Sequence, residues 1–153
     1  MRVLQNKRGM AYVLTCVIVL VVMMLLSVLF QYRYVYSAIR EQRDEAQMQL
    51  DSVILKSAME NYDALKRGST YREYIDYAKL EQDAYVALGF ADTDAEWLEE
   101  HPYIMSRPQI TPITEGGFGL TVTYNLEINF FVLGEDYGKI TVPITLTSKY
   151  TEK

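Results

Sequence analysis

The stretch MAYVLTCVIVLVVMMLLSVLF, residues 10–30, decides the architecture of this chain because it contains no charged residue, no Pro and no Gly. As a helix rising about 1.5 Å per residue it would extend about 31 Å, close to the roughly 30 Å of bilayer hydrocarbon. A helix in the core of a soluble domain is seldom apolar on every side for this length. We therefore predict a transmembrane helix over residues 10–30.

Aromatic residues mark both ends of the predicted span. Tyr12 lies near its start, and Tyr32, Tyr34 and Tyr36 follow its end, which predicts a membrane-interface belt of amphipathic rings at headgroup level. A cleaved secretory signal would have an apolar core of about 7–15 residues followed by small residues. The exit here is bulky and aromatic, SVLFQYRYVYSA, so we expect the helix to remain attached.

Basic residues flank the span on both sides, and basic residues are enriched on the cytoplasmic side of membrane helices. Three lie in the tail of residues 1–9, and three follow the helix: Arg2, Lys7, Arg8, Arg33, Arg40 and Arg43. The numbers are equal, but the concentration of Arg2, Lys7 and Arg8 favours a cytoplasmic tail. The rest of the chain is then predicted to be extracytoplasmic.

Composition excludes several functions. The chain has 15 basic and 20 acidic residues, so nucleic-acid phosphates would be repelled and no nucleic-acid partner is expected. The single cysteine, Cys16, lies in the apolar run, which leaves no disulfide or thiolate metal site for the domain. The thirteen tyrosines exceed what a membrane belt needs, and surface tyrosines suit protein contacts.

Residues 31–67 are predicted to continue the same helix as a stalk. The segment REQRDEAQMQ, residues 40–49, is polar all round and is expected to be exposed. Farther along, apolar residues spaced three and four apart predict one buried face: Leu50, Val53, Ile54, Ala58, Tyr62 and Leu65. Gly68 is suited to end the helix in a left-handed conformation.

Two capping boxes predict further helices in the domain of residues 68–153. Thr70 with Glu73 would begin a helix over about residues 71–88, which Gly89 would end. Thr93 with Glu96 would begin a short helix over residues 94–100, closed by His101 and Pro102.

The last third predicts a small antiparallel sheet. In GLTVTYNLEINFFVLG, residues 119–134, every second residue is apolar, and the alternation resumes over residues 140–150. A five-residue loop, 134–138, would join these strands as a hairpin that pairs Phe130 with Val142. Pro143 predicts that the second strand is an edge strand. Residues 109–114 are expected to supply a third strand, which completes an α+β fold.

Candidate chemistry is sparse. His101, the only histidine, stands beside Glu99 and Glu100, and a helix end explains this trio without a site. Neither a zinc-protease HExxH, a phosphate loop nor a serine-hydrolase motif is present. Loop carboxylates such as Asp92 and Glu135 are more typical of solvated turns than of calcium ligands. We expect no enzyme, no catalytic residue, no cofactor, no metal and no small-molecule substrate.

The N-terminal segment KRGMAYVLT, which joins a basic tail to an apolar helix at Gly9, resembles the type IV pilin plan. It is most similar to the small TadE-like pseudopilins and anchored proteins of Tad (Flp) pilus loci in Gram-positive bacteria. Beyond the tail and the apolar run, the likeness is architectural. The resemblance implies a leader cut between Gly9 and Met10 and a glutamate at the fifth mature position, where this chain has Leu14.

Two functions therefore stand side by side. The first is an accessory or minor component of a Tad/Flp-type pilus or secretion apparatus, whose partners are the lipid bilayer and other membrane-anchored or pilin-like proteins. The second is a generic single-pass envelope protein that presents a protein-binding α+β module. A sensor or an accessory subunit of a membrane enzyme is a third, more distant alternative.

Overall fold

The computed structural model describes residues 7–62, 66, 75–90, 95–100, 102–132 and 135–151, and it has the predicted α+β architecture. A long N-terminal helix is followed by a short helix and five antiparallel strands. These elements are α1 (Lys7–Glu60), α2 (Tyr77–Ala87), β1 (Trp97–Glu100), β2 (Tyr103–Ser106), β3 (Gln109–Ile113), β4 (Phe118–Val132) and β5 (Glu135–Tyr150).

Helix α1 is continuous from the tail into the domain, which confirms that the apolar run and the stalk form one helix. Its 54 residues extend about 80 Å at about 1.5 Å per residue. No Pro or Gly interrupts it after Gly9, so neither of the usual causes of a kink is present. The predicted helix end at Gly68 lies outside the described residues.

One face of α1 is buried over a longer stretch than the sequence predicted. The expected buried residues Leu50, Val53, Ile54 and Ala58 are confirmed, but the expectation that residues 40–49 are exposed all round is wrong. The buried face begins fifteen residues before Leu50 and includes Val35, Ala38, Gln42 and Ala46. These positions are spaced three and four apart, so they lie on the same side of the helix as Leu50. The sheet therefore packs along α1 almost down to the apolar run.

The predicted stripe also fails at its far end. Tyr62 is 60% exposed instead of buried, because α1 ends at Glu60 and Tyr62 lies beyond the last regular turn. Leu65 lies outside the described residues. The packed part of the helix therefore stops at Ala58.

Helix α2 begins later than predicted. Its N-cap is Asp76, whose Oδ1 accepts hydrogen bonds from the backbone N–H groups of Ala78 and Lys79 at 3.1 and 3.2 Å. Thr70 and Glu73, the predicted capping box, lie outside the described residues. An aspartate at this position satisfies the free N–H groups that every helix start leaves. The predicted end is confirmed, since Gly89 follows the C-cap with a positive φ of 86°.

The predicted helix over residues 94–100 is wrong, because residues 97–100 form strand β1. This strand pairs antiparallel with β2, and Leu98 lies opposite the buried Met105. Pairing with a neighbouring strand of the sheet outweighs a local capping signal here. Pro102 therefore lies in the connection between two strands and does not close a helix, while His101 is outside the described residues.

Strand β4 is the centre of the sheet. Strand β5 pairs along one edge of it, and β2 and β3 share the other edge. The third strand is thus confirmed as β3, in which Gln109 lies opposite Thr123. Among the described residues β5 pairs with β4 alone, so the edge position predicted from Pro143 is also confirmed.

The register of the β4–β5 hairpin differs from the prediction. Leu126 lies opposite Val142, and Ile128 lies opposite Ile140, whereas a five-residue loop would have paired Val142 with Phe130. Strand β5 begins at Glu135, so only two residues separate the strands, and an irregularity follows Asn129. The observed partner of each β5 residue differs from the predicted partner by an even number of residues along β4. The same side chains therefore remain on the core face.

The core lies between that face and the two helices. The even-numbered positions 118–128 of β4 are all at most 2% exposed, which confirms the period-two prediction. They form one cluster with Leu50 of α1, Ala84 of α2 and Leu146 of β5. The odd-numbered threonines of β4 and β5 face away from the helices, so one side of the sheet remains open to solvent.

Candidate functional site

The apolar run of residues 10–30 and the side chains around its end form the principal candidate site. Helix α1 is the one helix in the described part of the chain that is long and apolar enough to cross a membrane. None of the residues in its most apolar 18-residue segment is buried. Leu20 and Phe30, for example, are 64% and 73% exposed. A core helix of a soluble protein would be covered by its own domain, and this segment is not.

The four tyrosines of the predicted belt are all exposed. Tyr12 and Tyr32 are twenty residues apart in one continuous helix, so their rings are separated by about 30 Å along the axis. The rings of Tyr32 and Tyr36 stack with centroids 6.5 Å apart. Two aromatic levels at this spacing match the two interfaces of a bilayer, and the assignment to a membrane stays a prediction.

The predicted processing site lies in the first turn of α1. Gly9 and Met10 are helical, and Met10 is 57% exposed. Glycine within a helix costs roughly 1 kcal/mol relative to alanine, so Gly9 weakens the helix locally. Lys7 and Arg8 are the first residues of the helix, and Arg2 lies outside the described part. Cleavage and the orientation signal both stay predictions.

A buried polar cluster fixes α1 against the sheet. Gln42 is 4% exposed, its Oε1 accepts a 2.8 Å hydrogen bond from the Tyr124 hydroxyl, and its Nε2 donates to Met105 Sδ at 3.3 Å. Burial raises the pKa of Tyr124 to about 12. Each of these polar groups thus has a hydrogen-bond partner, and the bonds fix which face of α1 lies against the sheet. Their role is structural.

A small polar cavity of about 100 Å³ lies where α1, the end of α2 and the β1–β2 hairpin meet, and Glu45 and Gln49 help to line it. The Tyr103 hydroxyl donates a 2.8 Å hydrogen bond to Glu100 Oε2. Burial, followed by this bond to a carboxylate, raises the pKa of Tyr103. No group of three or more His, Cys, Asp or Glu side chains suited to a metal occurs within the described ranges.

Two clefts at the domain end of the apolar run were not predicted from the sequence. An apolar cleft of about 640 Å³ lies between α1 and the tip of the β4–β5 hairpin, and a neighbouring cleft of about 380 Å³ also contains polar groups. Both include Gln31, Tyr34 and Phe131. The signal available in the sequence was the run FFVL before Gly134, which is unusually apolar for a hairpin tip.

A second exposed surface is an apolar stripe on the outer part of α1. Met48, Leu55 and Met59 are between 57% and 72% exposed, and their spacing of seven and four residues places them on one side of the helix. Tyr62, which is 60% exposed, follows just beyond the end of α1. Contiguous exposed apolar side chains of this kind are typical of protein contact sites. We refer to these four residues as the outer stripe.

Comparison with known proteins gave no match to any family model, curated protein or solved structure.

Proposed function

We propose that this chain is a single-pass membrane protein whose N-terminal tail is cytoplasmic and whose α+β domain is extracytoplasmic. The observation that supports this most is the division of α1, whose residues 10–30 are apolar and uncovered while residues 35–58 are packed into the domain. Exposing so much apolar surface to water is unfavourable, and a bilayer would cover all of it.

We further propose that the protein is a pilin-like accessory or minor component of a Tad/Flp-type pilus or secretion apparatus. The support is architectural: one long helix whose second half packs on a small antiparallel sheet, with the tail and Gly9 ahead of the apolar run. The outer stripe offers a surface to another anchored subunit with a similar helix. Met48, Leu55 and Met59 project from the part of α1 that the sheet leaves uncovered.

The N-terminus of the mature protein tests this proposal. Expressed with an active prepilin peptidase, the pilin-like protein is expected to lose residues 1–9 and begin at Met10, as measured by intact-protein mass spectrometry. Replacing Gly9 with Leu should block the cut, and replacing Gln5 with Leu is the matched control that should not. An intact N-terminus beside an active peptidase, confirmed by cleavage of a known prepilin in the same cells, would contradict the pilin-like assignment.

The alternative is an envelope protein that presents its domain to a partner without entering a pilus. Leu14 favours it, because the related pilin-like proteins have a glutamate at the corresponding mature position, and this chain has an apolar, 61% exposed side chain there. The same mass measurement separates the two functions, since the alternative expects residues 1–9 to remain. Both share the membrane anchor, so an uncut tail leaves the anchor itself intact.

A further inference from the structure

We propose that the two clefts between α1 and the hairpin tip bind one zwitterionic phospholipid of the leaflet on the domain side. This proposal rests on the proposed membrane anchor and adds a specific ligand to it. The apolar cleft would hold an acyl chain, and the neighbouring polar cleft would hold the glycerol ester and phosphate groups. The two clefts are neighbours, since three residues line both of them: Gln31, Tyr34 and Phe131.

The depth of the apolar cleft fits an acyl chain. It is lined by Met23, Leu26, Ser27 and Phe30, all inside the apolar run. Met23 lies seven residues before Phe30, so the cleft extends about 10 Å along the axis from the end of the run. Half of the bilayer hydrocarbon is about 15 Å thick, and this cleft would therefore open to the acyl chains of one leaflet.

Phe131, near the end of β4, forms the opposite wall of the same cleft. Phe131 is 42% exposed and faces residues of the apolar run, although it belongs to the β-sheet domain. An aromatic side chain at this level would lie in the bilayer interface beside Tyr34, where amphipathic and aromatic rings are favoured. The sheet thus approaches the level of the membrane at its tip, and it would enclose a lipid against α1.

The polar end of the site has a hydrogen-bond donor that the described residues leave unused. The Nε2 atom of Gln31 is buried and has no hydrogen-bond partner in the described part of the chain. A buried amide without a partner is costly, and such groups are rare in folded proteins. Phosphate and ester oxygens are acceptors, and Asn129 and Tyr34 line the same cleft. A phospholipid headgroup region would supply the missing acceptor.

The absence of charge in the lining selects the class of lipid. No charged side chain lines either cleft within the described residues. An anionic headgroup would have no cationic partner there, and the acidic chain would repel it. A zwitterionic phospholipid needs no such partner.

Fluorescence quenching by brominated phosphatidylcholine tests whether the tip lies among lipids. The full-length chain is reconstituted in vesicles whose acyl chains carry bromine near the ester end. Trp97 is the native tryptophan, 44% exposed on β1 and far from the tip, so it is the matched control. In a Trp97→Phe background, the fluorescence of the tryptophan introduced by Phe131→Trp should be strongly quenched. In the wild-type chain, the fluorescence of Trp97 should be quenched less than a third as much.

A third tryptophan separates failure of the lipid site from failure of the anchor. Leu20→Trp in the Trp97→Phe background should be quenched by bromine near the end of the acyl chain if α1 spans the bilayer. Quenching at position 20 without quenching at position 131 would overturn the lipid site and leave the anchor. No quenching at either position would overturn both.

Lipid retention tests the site itself. Native mass spectrometry of the detergent-solubilised protein with added phosphatidylcholine should show one retained lipid per chain, and phosphatidylglycerol should be retained at least fivefold less. Gln31→Leu removes the buried donor and should reduce retention at least fivefold, while Gln47→Leu, on the same helix outside the clefts, should not. Equal retention by Gln31→Leu and Gln47→Leu, or equal retention of both lipids, would contradict the proposal.

Discussion

The two halves of α1 are covalently one helix but have opposite surroundings. From Met10 to Phe30 the apolar side chains are exposed on all sides, while from Val35 to Ala58 one side is buried against the sheet and α2 and the other sides are exposed. The first half has the all-round hydrophobicity of a helix in lipid, and the second has the amphipathic stripe of a helix on a core. A substitution in the first half should therefore affect membrane insertion, and a substitution in the second half should affect folding of the domain.

The largest effect is expected from charges in the first half. Replacing both Val19 and Val22 with Arg places two cations near the middle of the span, at roughly 2.5–3.5 kcal/mol each for membrane insertion. Membrane fractionation followed by alkaline extraction should show most of the variant lost from the bilayer. Replacing both with Leu is the matched control. Unchanged resistance to extraction of the arginine variant would mean that this half of α1 does not span a membrane.

A charge in the core that covers the second half should abolish domain stability instead. Ile128 is 1% exposed on β4, and Ile128→Asp buries a carboxylate without a partner, for an expected loss of more than about 4 kcal/mol. Thr145→Asp, on the open face of β5, should cost less than about 1 kcal/mol. Denaturant unfolding of the full chain in micelles measures both. Similar losses for the two variants would show that the assigned core face is wrong.

Truncating a leucine in each half compares the two directly. Leu50 is 1% exposed, so Leu50→Ala should lower the free energy of unfolding of the domain by about 3 kcal/mol. Leu25 is 60% exposed in the first half, and Leu25→Ala should leave domain unfolding within about 0.5 kcal/mol of the wild type. A loss at Leu25 as large as that at Leu50 would mean that the domain also covers the apolar run.

The smallest effect concerns the burial of the Tyr124 hydroxyl. The pKa of Tyr124 is raised to about 12 in the fold against about 10 for a free tyrosine, so the fold favours the neutral phenol. The stabilisation that results from this raised pKa is fully present below pH 10. It is lost as the pH rises towards 12, at about 1.4 kcal/mol per pH unit. Unfolding at pH 9 and pH 11.5 should show a smaller loss for Tyr124→Phe than for the wild type. Equal losses would exclude Tyr124 as their source.

The sequence predicted the elements that depend on a repeated pattern or on a single Pro or Gly. The apolar run, the alternation in β4, the edge position of Pro143 and the end of α2 at Gly89 follow from local physical chemistry, and all are present. The helix over residues 94–100 failed because a capping box is a local signal, and pairing of Leu98 with Met105 is not local. The hairpin register failed because the alternation of side chains does not specify the length of the loop.

The candidate site was less predictable than the fold. The belt tyrosines and the residues around Gly9 could be named because they are neighbours in sequence. The clefts could not, since Gln31 and Phe131 are a hundred residues apart and meet only when β4 packs along α1. The burial of Gln42 was missed for a related reason, because a glutamine within REQRDEAQMQ gives no indication that Tyr124 will contact it.

The central claim is that α1 places the tail and the domain on opposite sides of a membrane. Glu115 is exposed in the β3–β4 connection, at the end of β4 opposite the hairpin tip, and is suited to a single cysteine label. In a Cys16→Ser background, we expect that Glu115→Cys reacts with a membrane-impermeant maleimide on intact cells or protoplasts, and that Gln5→Cys does not. Labelling of Glu115→Cys only after lysis would place the domain in the cytoplasm and contradict the account.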